Sequence, residues 1–352
     1  MTIQDFKQTF VPYLNTAIKD KFDHYSAHTQ DEGILDMIQY TKQIIGGGKC
    51  IRPYMAYLMY QSLEGKDLTR VMDSLVSLEI FHSFALVHDD IIDKGLTRHG
   101  KQTVHTYVEA RLKAQKRWSQ DYTHVGNGQA ILVGDLLFAW SLERFVSFGD
   151  LPNHSDAWRY FMQMIDEVVV GQMIDVDIMT RDRVDMNLIE LKMLLKTAGY
   201  TFVRPMQIGV SLAGKSQEME QFCLDFGQSL GLAFQTQDDI LDLVADPGKI
   251  QKSVLSDIRE HQHTYLTQYV FENGTKEDIR DLTAVWGSEI RPTDQASIIG
   301  LFQRTGALAF AQDKVRDYLN QSRTLVEENT HLSDTGKQSL LFLVDYIANR
   351  SV

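Results

Sequence analysis

Apolar side chains recur three and four positions apart through most of the chain, as in Leu75, Leu78, Phe81 and Ala85, and again in Phe222, Phe226, Leu230 and Phe234. That spacing stacks them along one face of a helix, whereas a half-buried strand alternates every second residue. Alternating runs bounded by turn pairs are scarce, so neither a parallel sheet nor a sandwich is expected. Glycine, proline and small polar residues cluster at 46–48, 149–154, 246–248 and 289–294 and predict loops there. No solenoid-type repeat or low-complexity linker divides the chain. The pattern predicts an all-α protein in which residues 1–352 form a single domain. Residues 1–22 read as a surface helix, and the basic, polar stretch 113–124 as a solvated surface excursion.

Composition supports this picture. Apolar residues make up 43% of the 352 residues and charged residues 23%, as in a soluble globular protein, and only 6 prolines interrupt potential helices. The formal net charge of -12 argues against a nucleic-acid partner, because neutralising phosphates requires a basic stripe. An acidic protein that binds an anion needs divalent metal at carboxylates and a few placed Lys and Arg. Two cysteines, Cys50 and Cys223, offer neither a disulfide framework nor a zinc pattern, which predicts a cytoplasmic protein. The strongest apolar stretch, 130–142, is interrupted by Asp135 and is shorter than the roughly 20 residues that cross a bilayer. Residues 1–22 lack the apolar core of a signal peptide.

Two aspartate clusters carry the candidate chemistry: Asp89, Asp90 and Asp93 in HDDIID, and Asp238, Asp239 and Asp242 in QDDILD. Residues four apart share a helix face, so each cluster presents a vertical pair of carboxylates. Phe84, Ala85, Leu86 and Val87 precede the first cluster, and Leu232, Ala233 and Phe234 the second, which sets the charges at the ends of apolar segments. Carboxylates placed there are costly unless compensated. Oxygen ligands without a nearby cysteine favour magnesium or manganese over zinc. A single such run would read equally well as an exposed helix end; two copies with one spacing favour a site.

Basic and polar groups that could meet a diphosphate are dispersed. GGGKCIRP sets Lys49 and Arg52 three apart after a flexible loop, and it lacks the glycine spacing and Ser or Thr of a Walker A loop. Arg98 and His99 follow Asp93, Lys196 and Thr197 lie in LLKTAGY, and Gln172, Asp175 and Gln235 are polar residues on mainly apolar segments. Each of these last three, taken alone, reads first as a satisfied core hydrogen bond.

In order, GGGKCIRP, HDDIIDKGLTRHG, GNGQAILVGDLL, GQMIDVD, LLKTAGY, FQTQDDILDL and KSVLSDIRE resemble the trans-prenyl diphosphate synthase family, the polyprenyl synthetases, over about residues 46–260. The resemblance implies an antiparallel helix bundle around a deep central cavity, usually a homodimer. It implies three magnesium ions gathered by the two Asp motifs, with Asp89, Asp93 and Asp238 as direct ligands, and Asp90, Asp239 and Asp242 as acidic neighbours. It further implies that Lys49, Arg52 and His82 bind isopentenyl diphosphate and that Arg98, Lys196, Thr197, Gln235 and Lys252 hold the allylic diphosphate. The catalytic set is then Asp89, Asp90, Asp93, Lys196, Asp238 and Asp239.

Three positions depart from the family pattern: Cys50 stands where many members carry Arg, His99 replaces a second Arg, and Gln262 falls where a diphosphate-binding Lys is expected. These departures motivate a rival reading as a weakened subunit supporting an active partner. A His/Asp phosphohydrolase reading of His88 and Asp89 leaves DDILD unexplained. In the family, a small residue four before the first aspartate and an aromatic five before it, here Ala85 and Phe84, resemble the geranylgeranyl-forming pattern, with Phe81 one turn deeper. That pattern favours geranylgeranyl diphosphate over farnesyl diphosphate as product.

Overall fold

The computed structural model describes residues 2–118, 121–244 and 255–349. Lys252 and the predicted loop at 246–248 lie outside the described residues. The chain begins with α1 (Ile3–Ser26), α2 (Glu32–Ile44), α3 (Ile51–Ser62), α4 (Leu68–Ser74) and α5 (Val76–Ile92). It continues through α6 (Val104–Ala114), α7 (Tyr122–Val146), α8 (His154–Ile178) and α9 (Met186–Met193). A π-helical segment, Leu194–Val203, leads into α10 (Arg204–Leu212) and the long α11 (Ser216–Val244). Six helices follow: α12 (Ser256–Arg259), α13 (Tyr265–Asn273), α14 (Lys276–Val285), α15 (Gln295–Arg304), α16 (Ala307–Glu328) and α17 (Asp334–Ala348). The all-α expectation holds; among the described residues the only strands are the two-residue Thr97–Arg98 and Lys101–Gln102, paired antiparallel.

Local chemistry starts these helices where the sequence places oxygen side chains. Thr2 and Asp5 form a reciprocal capping box on α1, and Asp31, Asp67, Asp121, Asp185 and Ser333 each accept from a first-turn backbone N–H. The expected surface helix at the start of the chain is more than that. Ile3, Phe6, Phe10, Leu14, Ile18 and Phe22 of α1 are buried, and Phe6 packs against Tyr54 and Tyr57 of α3. Asp5, Lys19, Asp20 and Asp23 are exposed, the amphipathic arrangement of a docked helix.

At the centre, α3 and α10 are buried on nearly every side. They cross closely because Gly209 has no side chain: a Cβ there would lie 2.0 Å from the Ala56 carbonyl oxygen. One continuous core runs from Ile3 to Ile347, with a smaller cluster of Ile189, Met193, Leu232 and Tyr265 beside α9. The periodic stretch beginning at Leu75 is divided in the structure. Leu75 is the junction of α4 and α5, and Leu78 and Phe81 lie within α5.

Candidate active site

The last turn of α5 carries the first aspartate cluster. The Asp93 N–H donates to the Asp89 carbonyl at 2.8 Å, so the helical register that puts both carboxylates on one face persists to the helix end. Asp90 points elsewhere: its carboxylate is buried and accepts from Arg98 Nε at 2.6 Å. Burial, offset in part by Arg98, pushes Asp90 up to about 6. Arg98 is delivered by the small hairpin, whose turn residues His99 and Gly100 both have positive φ, 51° and 75°. A second guanidinium nitrogen of Arg98 is 3.5 Å from Asp89 Oδ2.

The second cluster lies on α11. Asp239 is buried and accepts from Gln235 Nε2 at 2.8 Å, while Gln235 Oε1 accepts from the Thr197 hydroxyl at 2.7 Å. Asp238 is half-buried. Asp242 does not stand open beside Asp238 as a second arm of a vertical pair. Its two oxygens accept from Ser256 N (3.1 Å), Ser256 Oγ (2.6 Å) and Asp257 N (3.0 Å), at the start of α12. A carboxylate at a helix N-terminus is favourably placed against exposed N–H groups, which accounts for this engagement.

Lys196 lies beside the first cluster. Its ammonium is 2.5 Å from Asp175 Oδ2 and 3.6 Å from Asp89 Oδ1, and Gln172 Nε2 donates to the same Asp89 oxygen at 3.2 Å. Burial opposes the charge on Lys196, but Asp89 and Asp175 outweigh it and raise its pKa. Lys196 and Thr197 fall in the π-helical segment, a geometry frequent at functional sites. Small residues let this segment lie close to its neighbours: a Cβ on Gly171 would be 2.6 Å from Lys196 N, and one on Gly231 2.4 Å from Ala198 Cα.

A second basic locus forms beside α3. Arg52 stacks over the Tyr200 ring at 3.9 Å and donates to the Thr201 hydroxyl at 2.9 Å, and the Tyr200 hydroxyl is 3.1 Å from His82 Nδ1. Burial, reinforced by Arg52, pushes His82 well below the usual imidazole value. Lys7 holds the preceding glycine loop by donating to the Gly48 carbonyl at 2.7 Å. His99 lies against that loop, 3.1 Å from where a Gly47 Cβ would be. Lys49 is exposed and donates to the Tyr346 hydroxyl of α17 at 2.8 Å.

Four more participants are not among the site residues expected from the sequence, although Glu260 closes the KSVLSDIRE stretch. Tyr346 reaches Lys49 from the far end of the chain. Glu79, fully inside α5, lies by Arg52 and Cys50. Lys192 is buried against Asp175 at 3.0 Å. Glu260, paired with Arg259 at 3.2 Å, is pushed up by burial, with Asp242 and Asp89 adding to the effect. The spacing of Lys192 four before Lys196 and of Glu79 three before His82, on the same helix faces, is the signal that marks two of them.

These carboxylates fit a hard cation. Burial together with Asp89 pushes Asp93 up to about 7, and burial together with Asp238 and Asp242 does the same for Asp239, so negative charge exceeds its local compensation. Among the described residues no three carboxylate, His or Cys side chains already converge on one point. The donors are all oxygen and are divided between the end of α5 and α11, which suits an ion that completes its shell with substrate phosphate.

The predicted chain-length residues pack on successive turns of α5. Phe81 is fully buried, with its ring near Phe84 (5.2 Å), Phe161 (5.9 Å), Tyr200 (5.8 Å) and Phe138 (6.1 Å). Phe84 and Ala85 are half-buried, and Phe138 of α7 approaches Phe84 at 5.1 Å. A separate cavity of about 550 Å³ opens between α1, α5 and α7, lined by Ala17, Tyr25, Ile80, Trp140 and Arg144, and contains none of the residues above.

An all-helical bundle in which a lysine beside one aspartate cluster is followed by a threonine hydrogen-bonded, through Gln235, to a second cluster is the architecture of an isoprenoid synthase. The polyprenyl synthetase family matches residues 32–299, and the chain belongs to that family. It is similar to the geranylfarnesyl diphosphate synthase of Aeropyrum pernix, 28% identical over 87% of this chain and 92% of that one. It is also similar to the geranylgeranyl pyrophosphate synthase of Geoglobus acetivorans, 28% identical over 95% and 96%. Among solved structures it resembles geranylgeranyl pyrophosphate synthase from Corynebacterium glutamicum, complexed with isoprenyl diphosphate and magnesium, with a TM-score of 0.90, 27% identity and full coverage of both chains. The chain is thus an enzyme, a trans-isoprenyl diphosphate synthase. No helix among the described residues is long and apolar enough to cross a membrane.

Proposed function

We propose that this chain condenses isopentenyl diphosphate with an allylic diphosphate, in a magnesium-dependent reaction, to make a short trans-prenyl diphosphate, geranylgeranyl diphosphate ahead of farnesyl diphosphate. The observation that carries this reading is Lys196, half-buried, 3.6 Å from Asp89 on one side and tied through its neighbour Thr197 and Gln235 to Asp239 on the other.

Lys49, Arg52 and His82 bind the isopentenyl diphosphate. Arg contributes forked donors and Lys a compact charge, and the stacking of Arg52 on Tyr200 fixes its plane. Arg98, Lys196, Thr197 and Gln235 hold the allylic diphosphate, with Lys252 assigned the same task. Magnesium held by Asp89, Asp93 and Asp238 would neutralise the leaving pyrophosphate. Three ions are the expected number, with manganese as a substitute. Lys196 adds a preorganised positive charge where negative charge develops as the carbon-oxygen bond breaks. The isopentenyl double bond then attacks the allylic cation, and the departing pyrophosphate takes the proton whose loss restores the alkene. Phe84, Ala85 and Phe234 keep water from quenching the cation.

We place the enzyme in the cytoplasm, as its two free, buried cysteines suit a reducing compartment. We take it to act as a single domain and as a homodimer. Ile131 and Leu132 of α7 and Val169, Val170 and Met173 of α8 are exposed apolar residues on long helices, a surface suited to a second copy. The rival reading, a weakened subunit, rests on His99 and Gln262. Incubating the purified chain alone with magnesium, isopentenyl diphosphate and geranyl or farnesyl diphosphate decides between them. Elongation supports synthesis, and its absence until a partner chain is added supports the subunit role.

A further inference from the structure

Lys192 is 8% exposed and has no part in the chemistry above. Its ammonium is 3.0 Å from Asp175 Oδ1 and donates to the His263 carbonyl at 3.0 Å. The other Asp175 oxygen takes Lys196 at 2.5 Å, and Lys196 in turn lies 3.6 Å from Asp89. One buried carboxylate therefore joins two ammonium groups in a line that runs from the segment after α12 to the first aspartate cluster. The same Lys192 charge acts favourably on the ionised forms of Asp239 and Asp257. A lysine is costly to bury unless its charge is answered, and here acids from α8, α11 and α12 answer it.

The charge count gives the arrangement its consequence. Lys192, Asp175 and Lys196 together carry one net positive charge. Without Lys192 the remaining pair is neutral, and Lys196 meets an incoming diphosphate with its charge already cancelled by Asp175. The carbonyl that Lys192 holds belongs to His263, next to Gln262, the buried position where the sequence lacks an expected cation.

We propose that Lys192 is a positioning residue for the allylic diphosphate: acting through Asp175 it orients Lys196, and it supplies from α9 the positive charge absent at Gln262. This inference rests on the prenyl-transfer reading. The full-length chain and its Lys192→Gln, Lys192→Arg and Gln262→Lys variants would be assayed with magnesium, isopentenyl diphosphate and geranyl diphosphate. Lys192→Gln is expected to lower kcat/KM for the allylic substrate by roughly 10- to 100-fold, to leave the isopentenyl KM within about twofold, and to keep Tm near wild type, with Lys192→Arg recovering most of the loss. Gln262→Lys is expected to leave the allylic KM within about twofold, because the charge is already present. Unchanged allylic kinetics in Lys192→Gln, equal damage to both substrates, or a tenfold fall in allylic KM for Gln262→Lys would each overturn the proposal. Should Lys192→Gln not fold, the Arg and Gln262→Lys results still decide it. A wild-type chain unable to elongate would instead defeat the parent reading.

Discussion

The Thr197 hydroxyl donates to Gln235 Oε1 at 2.7 Å, and this bond ties the π-helical turn bearing Lys196 to the helix bearing the second aspartate cluster. Gln235 passes the restraint on by donating to Asp239 at 2.8 Å. Thr197→Val keeps the side-chain shape but leaves the half-buried Gln235 carbonyl without its donor, a loss on the order of 1 kcal/mol. We expect the allylic KM to rise about tenfold or more, with Thr197→Ser close to wild type. Equal KM values in Thr197→Val and the parent would show that the bond plays no part in binding.

Asp89→Ala and Asp238→Ala are expected to abolish elongation while leaving the helical circular dichroism intact. Asp89 sits at the end of α5, half-buried, with Gln172, Arg98 and Lys196 around its carboxylate, so its removal empties a charged site and opens no apolar cavity. A loss of about 10²- to 10³-fold or more in kcat is the scale for removing an electrostatic stabiliser. Chelating divalent metal should stop the wild-type reaction in the same assay. Turnover within tenfold of wild type in either variant would refute the ligand roles.

Glu79 yields a pH prediction. Burial raises its pKa above 4.5, against the smaller opposing effects of Arg52, the Cys50 thiol and Lys7, and one carboxylate oxygen has no hydrogen-bond partner among the described residues. A raised folded-state value favours the protonated form. Its contribution to stability is fully present below the ordinary glutamate range and is lost as pH climbs through the raised value. Glu79→Gln, neutral at every pH, should therefore raise Tm at pH 8, with the gain shrinking toward pH 4. A Tm difference that does not vary between those limits would show that the carboxyl is not held protonated.

The bundle was legible because the apolar period of 3.6 runs through α5 and α11 and because oxygen caps mark helix starts. The aspartate clusters were legible because one spacing occurs twice. Other features depend on contacts that no local pattern encodes. Lys192 looks like a solvated lysine until Asp175, from α8, is brought to 3.0 Å. The π-helical turn depends on the close approach that Gly171 and Gly231 permit. Lys49 meets Tyr346 only after almost the whole chain has folded back. Asp242 reads as an equal of Asp238 in sequence, and only the arrival of α12 shows that its oxygens cap another helix.

Product length supplies the last prediction. At about 1.5 Å rise per residue, Phe84 lies about 7.5 Å below Asp89 along α5 and Phe81 about 12 Å below. On the proposed reading, half-buried Phe84 would be the side chain a growing prenyl tail meets first, with the smaller Ala85 beside it. Phe81 stands one turn deeper, buried among the rings of Phe84, Phe138, Phe161 and Tyr200, so a floor formed by these residues would be two aromatic layers deep and would draw on α7, α8 and the π segment as well as α5. Phe84→Ala removes only the upper layer and should shift products one or more isoprene units beyond wild type. The Phe81→Ala, Phe84→Ala double variant should lengthen them further, at a stability cost of about 3–5 kcal/mol for the buried Phe81 ring and less for half-buried Phe84. Its thermal transition must therefore be measured alongside its products. Chromatography of the dephosphorylated alcohols reads the outcome. If the folded double variant gives an unchanged product profile, or the wild type itself makes chains well beyond twenty carbons, these two rings do not form the floor.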